Sequence, residues 1–155
     1  ITLIKSVQKI LAKGYHLNLR FIGSGPTIKS CKKYVKQHNL SKFISFEKEL
    51  VHEKLNDFYN SIDLFVLPSY YEALGCVYLE SWATQTPFIG IKDQGISEIV
   101  PDKKNMLILK NDVDGLVDKI LFFMNNIFYL ESVKKFDIKK TIYDFLSLNI
   151  FVCDD

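Results

Sequence analysis

The sequence predicts an α/β fold in which a parallel, doubly wound sheet is flanked by helices. Short apolar segments typical of strands alternate with helical patterns along most of the chain, giving five strand candidates. The 155 residues, 48% of them hydrophobic, are enough for one packed core and too few for two ordinary domains. No internal repeat or low-complexity segment interrupts this pattern.

The first half of the chain contains two strand candidates between helices. Gly14 favours a helix C-terminus after an apolar helical spacing, and Pro26 favours the first turn of the next helix. The predicted elements are a helix at 1–13, a strand at 16–22, a helix at 26–39, a strand at 42–46 and a helix at 51–61.

The second half continues the alternation. An apolar run that stops at Pro68 is typical of a buried parallel strand and the loop leaving it, and Asp112 is suited to cap a helix. The predicted elements are a strand at 63–67, a helix at 76–84, a strand at 87–91, a turn and short helix at 93–100, a strand at 106–109 and a helix at 113–125.

We assign residues 1–148 to a single domain and residues 149–155 to a tail. Residues 127–148 favour one or two further helices. Because the chain begins at Ile1, inside a helical pattern, we expect it to be a fragment of a longer protein. The first strand of a doubly wound sheet lies centrally, so a fragment without it would have an incomplete sheet.

Charge, cysteine spacing and hydropathy exclude several classes of function. The 20 basic and 18 acidic residues give a formal charge of +2, which provides no reason to expect a nucleic-acid partner. Cys31, Cys76 and Cys153 have neither metal-site nor disulfide spacing, which predicts reduced, mostly buried thiols in a cytoplasmic protein. The three histidines are scattered, so we expect no metal. No apolar run approaches the roughly 20 residues of a membrane span.

The stretch at 72–80 combines two carboxylates with the start of a helix after a buried strand. Glu72 lies in the loop, and Glu80 lies about one turn inside the helix. In open α/β sheets, ligands bind outside the carboxyl ends of the strands. The first amides of a helix beginning near Gly75 can bind a diphosphate, and carboxylates can accept hydrogen bonds from sugar hydroxyls. From spacing alone, the favoured interpretation is simpler: both glutamates are surface carboxylates.

The neighbouring motifs change that balance. From Pro68 onward the chain reads P-S, E-A-L-G, L-E-S-W-A, P-F-I and G-I-S-E-I, in that order. This series closely resembles the nucleotide-sugar-binding half of GT-B glycosyltransferases, most of all glycosyltransferase family 4, with P-S-x-x-E-G-F-G, L-E-A-x-A-x-G-x-P-V and G-G-x-x-E. The segment I-G-S-G-P at 22–26 matches the family's strand ending in G-x-G-P. The resemblance covers residues 1 to roughly 119 and implies a Rossmann-like domain, the C-terminal half of a GT-B fold.

The resemblance implies a retaining sugar transferase that uses a nucleotide diphosphate sugar and no metal. Glu72 would contact the donor sugar at the catalytic centre, and Glu80 would hold the ribose hydroxyls. The acceptor would be a glycan or glycolipid in surface polysaccharide or glycolipid synthesis. Backbone N–H groups toward the sugar and diphosphate would come from Leu74, Gly75, Cys76 and Val77.

Departures from the family pattern limit this interpretation. Ala73, Gln85 and Gln94 each replace a glycine of the pattern. The family's basic pair that grips the diphosphate, and its N-terminal acceptor-binding domain, are expected to precede Ile1, so we expect weak binding and no turnover by this chain alone. The alternatives are a non-catalytic remnant or nucleotide-binding module and, less favoured, a nicotinamide-dependent domain suggested by Gly-Ser-Gly at 23–25.

Two further features each have two interpretations. One helical face is basic and is typical of a solvated surface; it consists of Lys29, Lys32, Lys33 and Lys36. The alternative is peripheral contact with the anionic inner face of a membrane. Glu98 either reaches the donor site or caps its own helix.

Overall fold

The computed structural model describes residues 1–69, 75–100 and 106–126. Helices and strands alternate through these ranges, and a 3-10 turn at His52–Lys54 leads into the third helix. The helices are α1 Thr2–Ala12, α2 Ile28–Gln37, α3 Leu55–Asn60, α4 Cys76–Ala83, α5 Ile96–Ile99 and α6 Val113–Asn125. The strands are β1 Leu19–Ile22, β2 Ile44–Glu47, β3 Phe65–Val66, β4 Phe88–Ile91 and β5 Leu107–Ile108.

The strands form two parallel groups, β1-β2 and β3-β4-β5. Leu19 is opposite Ile44 in the first group, and Phe65 is opposite Phe88 in the second. Helices connect the successive parallel strands, which confirms the predicted Rossmann-like α/β class. That a strand is missing from the sheet stays a prediction.

Strand β4 lies at the centre of the second group and is buried along its whole length. Helix α4 covers it with two aromatic side chains, since the ring centroids of Tyr78 and Trp82 lie 4.9 and 5.6 Å from that of Phe88. Trp82 is only 2% exposed, so its side chain is part of the core. Helix α4, whose first turn carries predicted site residues, is therefore held firmly against β4.

Helices α1 and α6 pack against each other and bring the two ends of the described chain together. The Ser6 hydroxyl in α1 donates to the carbonyl oxygen of Val113 at 3.0 Å. Asp112 caps α6 as predicted, because its Oδ1 accepts a 2.7 Å hydrogen bond from the backbone N–H of Gly115.

Several predicted elements are shorter in the structure. Strand β3 covers two residues of the predicted five, Phe65 and Val66, and it starts at Phe65 because β4 begins opposite it, at Phe88. The prediction of mostly buried thiols is wrong for Cys76, which is exposed because it is the first residue of α4. Cys31 is buried as predicted. Cys153 and the predicted helices at 127–148 lie outside the described residues.

Candidate functional site

The beginning of α4 forms the centre of the candidate site. Helix α4 follows β3, and Gly75 lies directly before it with φ 70° and ψ 70°, the left-handed conformation that glycine adopts without a steric penalty. The carbonyl oxygen of Gly75 accepts the N–H of Tyr78 at 2.9 Å. Among the described residues, no side chain caps this helix N-terminus. Its first amides can therefore bind an anionic group.

Glu80 lies one turn further along α4 and is half-buried. Tyr59, at the end of α3, donates its hydroxyl to Glu80 Oε2 at 3.1 Å. Burial raises the pKa of Tyr59 well above its usual range, and the adjacent negative charge of Glu80 raises it further. The phenol is therefore a protonated donor to the carboxylate at any physiological pH.

The structure brings four of the predicted site residues together on one short stretch of helix. Gly75, Cys76 and Val77 form the helix start, and Glu80 lies four positions after Cys76, about 6 Å further along the axis. An anion at the helix start and a hydroxyl-bearing group beside the first turn can thus belong to one ligand. The two other predicted residues, Glu72 and Leu74, lie outside the described residues.

Tyr59 is the site residue that sequence reasoning missed. It lies 21 residues before Glu80, in a different helix, and no motif links the two positions. The only local signal is an aromatic residue on a short helix, which is more often part of the core. Tyr59 is indeed a core residue, only 3% exposed, and its hydroxyl is the part that reaches the site.

The motif at 22–26 lies beside a separate hollow at the carboxyl ends of β1 and β2. The hollow has a volume of about 630 Å³. In it, the Ser24 hydroxyl donates to the Glu49 carboxylate, and Lys32 Nζ lies 5.5 Å from the centroid of the Phe46 ring. The residues that line the hollow are Gly23, Ser24, Ile28, Lys32, Phe46, Glu47, Lys48 and Glu49.

Another cavity, of about 240 Å³, lies at the opposite end of the second strand group. It is lined by residues at the end of α3 and in the turn between α4 and β4, including Asn60, Thr84 and Gln85. None of the predicted site residues lines it. The cavity is therefore separate from the candidate site.

Glu98 and the basic face of α2, for each of which the sequence allows two interpretations, are exposed in the structure. Glu98 lies on α5, and the four lysines of α2 face away from the core. Within residues 1–69, 75–100 and 106–126, no three histidine, cysteine, aspartate or glutamate side chains lie close enough to hold a metal ion. None of the helices in these ranges is long and apolar enough to cross a membrane.

The backbone conformation of Gln85 shows what the turn requires at one position where the sequence departs from the family pattern. Its φ is 62°, so the turn between α4 and β4 needs the left-handed conformation that the pattern's glycine provides. The glutamine therefore keeps the turn that is typical of glycine and accepts a steric cost.

The family model described as "Glycosyl transferases group 1" matches residues 1–140. The chain belongs to this family. Its parallel α/β architecture is that of a group 1 glycosyl transferase domain. The resemblance inferred from the motifs at 68–99 is confirmed.

Two curated relatives are longer than the region that matches this chain. An uncharacterized glycosyltransferase of Methanocaldococcus jannaschii is 32% identical over 115 residues, which are 74% of this chain and 32% of the relative. The capsular polysaccharide biosynthesis glycosyltransferase CapM of Staphylococcus aureus is 28% identical over 129 residues, covering 80% of this chain and 33% of CapM. The chain thus spans about a third of the length of these relatives.

A solved structure shows the same fold. A TarM variant from Staphylococcus aureus, in complex with fondaparinux, α-GlcNAc-glycerol and UDP, superposes with a TM-score of 0.76 at 20% identity. The match covers 95% of this chain and 32% of TarM.

Proposed function

We propose that this chain is the donor-binding domain of a retaining glycosyltransferase that transfers a sugar from a nucleotide diphosphate sugar to an acceptor. The observation that carries the proposal is the arrangement at the start of α4. There, a helix N-terminus that no described side chain caps, directly after left-handed Gly75, is followed one turn later by the Glu80 carboxylate. The acceptor class proposed is a glycan or glycolipid in surface polysaccharide or glycolipid synthesis, for which the similarity to CapM is support.

The site matches the chemistry of a nucleoside diphosphate. The diphosphate would accept hydrogen bonds from backbone N–H groups at Gly75, Cys76 and Val77, where the helix dipole also favours negative charge. The two ribose hydroxyls would donate to Glu80, because an ionised carboxylate offers several acceptor positions on two oxygens. The presence of UDP in the TarM complex is consistent with such a ligand in this fold.

Transfer would break the bond between C1 of the donor sugar and the diphosphate oxygen and form a bond from C1 to the oxygen of an acceptor hydroxyl, whose proton would pass to the departing diphosphate. The departing diphosphate takes up the negative charge, and the amides at the start of α4 would stabilise that charge as it develops. Glu72 and Leu74 would face the donor sugar, a role that rests on the family resemblance. The proposal requires no metal ion.

We assign turnover to a longer protein in which this domain supplies the donor half of the cleft. The chain spans about a third of its relatives' length, so acceptor binding is proposed for the parts that those relatives have in addition. In that arrangement the enzyme would work in the cytoplasm, with the exposed lysines of α2 available for peripheral contact with an anionic membrane.

Titration of the ¹⁵N-labelled chain with UDP, GDP, ADP and NAD, followed by NMR, tests the proposal. We expect one of the diphosphates to shift the amide signals of Gly75, Cys76, Val77 and Glu80. A response to NAD alone would favour the nicotinamide-dependent alternative. If no nucleotide shifts these signals, the donor-site proposal is wrong.

A matched pair of variants tests the assignment of the ribose. Glu80→Ala should weaken binding of the responding nucleotide by about tenfold, the effect of losing charge-assisted hydrogen bonds. Glu98→Ala removes an exposed carboxylate from α5 and should change affinity much less. The opposite order would show that Glu80 does not bind the ribose.

A further inference from the structure

Tyr59 and Glu80 approach each other from two different helices. The Tyr59 hydroxyl donates to Glu80 Oε2 at 3.1 Å, and the tyrosine is only 3% exposed. Glu80 is half-buried, so its carboxylate lies at the boundary between this phenol and solvent. Among the described residues, Tyr59 provides the only side-chain hydrogen bond to this carboxylate, through Oε2.

The surrounding core fixes the position of Tyr59. The Thr86 hydroxyl, itself buried, donates to the carbonyl oxygen of Tyr59 at 2.8 Å and so ties the end of α3 to the start of β4. The Tyr59 ring packs edge-on against Phe65 of β3, with ring centroids 5.5 Å apart and an interplanar angle of 83°. A donor anchored at its backbone and its ring has little freedom to follow a moving carboxylate.

We propose that Tyr59 is a positioning residue that holds the Glu80 carboxylate in the orientation in which it accepts the ribose hydroxyls of the donor nucleotide. This inference rests on the proposed function, since it takes Glu80 as the ribose acceptor. Oε2 keeps a second acceptor position beside the phenol, and Oε1 is left for the ligand. Both oxygens can therefore face a diol while one of them is held from behind.

The physical gain is preorganisation. A glutamate side chain has three rotatable bonds, and fixing them at the moment of binding costs conformational entropy. The Tyr59 hydrogen bond fixes them before the ligand arrives. Because the phenol donates to the Glu80 carboxylate, it should affect the ribose contacts and leave the diphosphate contacts at the helix start unchanged.

The experiment compares ribose and dideoxyribose ligands on the 155-residue chain. Affinities of UDP and 2′,3′-dideoxy-UDP are measured by calorimetry, with the GDP and ADP pairs in parallel, and the ratio within each pair reports ribose recognition. We expect the wild-type chain to prefer the ribose form by at least tenfold. Tyr59→Phe keeps the ring and removes the hydroxyl, and should lower this preference about 3- to 10-fold with little change in dideoxy binding.

Tyr78→Phe is the matched control. Tyr78 is 1% exposed, and its hydroxyl donates to the carbonyl oxygen of Leu67 at 2.8 Å, so this variant also removes a buried phenol hydrogen bond. Any loss of packing or stability should weaken both ligands of a pair equally and leave the ratio unchanged.

A double-mutant cycle shows whether Tyr59 acts through Glu80. In the Glu80→Ala background, Tyr59→Phe should cause no further loss of ribose preference, because the carboxylate to be positioned is absent. An additive loss would show that Tyr59 acts on the ligand by another route.

The outcomes separate the inference from the proposed function. A chain that prefers ribose, and loses the preference in Glu80→Ala but keeps it in Tyr59→Phe, would overturn the positioning role and leave the proposed function intact. A wild-type chain that binds no nucleotide, or that binds both forms equally, would overturn the ribose assignment and the inference with it.

Discussion

Gly90 of β4 lies directly beneath the ring of Tyr78, so close that a Cβ atom on Gly90 would be 3.2 Å from Tyr78 Cζ. The ring cannot move away easily, because Tyr78 is buried and its hydroxyl donates a hydrogen bond to the carbonyl oxygen of Leu67. Ile96 of α5 limits the same space, at 3.3 Å. The missing side chain of Gly90 thus allows α4, which carries the candidate site, to pack closely on the sheet.

Gly90→Ala should therefore destabilise the domain by about 1–2 kcal/mol, the cost of forcing a methyl group into a packed core. Urea unfolding can be followed by the fluorescence of Trp82, the one tryptophan in the sequence. Gly25→Ala is the control, because a Cβ there meets no atom within 4 Å. That variant should be neutral or slightly stabilising through the entropy of the unfolded chain. Equal stability of the two variants would contradict the packing argument.

Gln85→Gly should stabilise the domain by about 0.5–1 kcal/mol. The native φ of 62° is strained for glutamine and free for glycine, and this relief outweighs the extra flexibility of glycine in the unfolded state. Thermal or urea unfolding measures the effect. Ala83→Gly, two residues earlier at the end of α4, is the control and should instead destabilise by about 0.5–1 kcal/mol, because its residue is helical. A loss of stability in Gln85→Gly would show that its side chain provides more than the turn costs.

The Arg20–Glu47 ion pair should give the domain a small pH-dependent stability. Two guanidinium nitrogens of Arg20 donate to the two carboxylate oxygens of Glu47, at 2.7 and 3.0 Å. This hydrogen bonding lowers the pKa of Glu47 below its ordinary value of 4.5. The stabilisation is therefore present above pH 4.5 and is lost as the pH falls through the folded-state pKa.

The measurement is the free energy of unfolding of the wild type and Glu47→Gln between pH 3 and 7. Both side chains are more than a third exposed, so we expect a difference of at most about 1 kcal/mol at pH 7, decreasing with added salt. Glu53→Gln, which changes an exposed glutamate just before α3, is the control for the loss of one surface carboxylate. A difference that persists unchanged at pH 3 would contradict the assignment.

Cys76 provides a chemical probe of the candidate diphosphate site. Its thiol is exposed at the first position of α4, whereas Cys31 is buried. In a Cys153→Ser background, iodoacetamide should modify Cys76 selectively, and a nucleoside diphosphate at ten times its dissociation constant should slow the reaction about tenfold. Mass spectrometry of the alkylated peptide gives the rate.

The corresponding nucleoside, without phosphates, is the control for Cys76 protection. It should protect much less at the same concentration, because it lacks the group proposed to bind the helix start. An unchanged alkylation rate with the diphosphate bound would place the ligand elsewhere on the domain.

The order of the elements could be predicted because it depends on local patterns. Apolar spacing located the helices and strands, and the short polar side chain before an apolar helical face correctly identified Asp112 as the cap of α6. Strand ends were predicted less well, since the start of β3 depends on its neighbour: β4 begins at Phe88, which is opposite Phe65. The linked motifs at 68–99 were specific enough to indicate the family, which the match of its model to residues 1–140 then showed.

In the candidate site, too, some features could be predicted from local sequence patterns and others could not. That a helix starts near Gly75 and that Glu80 follows one turn later could be predicted from the residues alone, because both depend on neighbours within a few residues. The hydrogen bond from Tyr59 to Glu80 and the left-handed turn at Gln85 became visible only in the folded domain. Such contacts depend on how α3, α4 and β4 pack together, and packing joins residues that no local pattern connects.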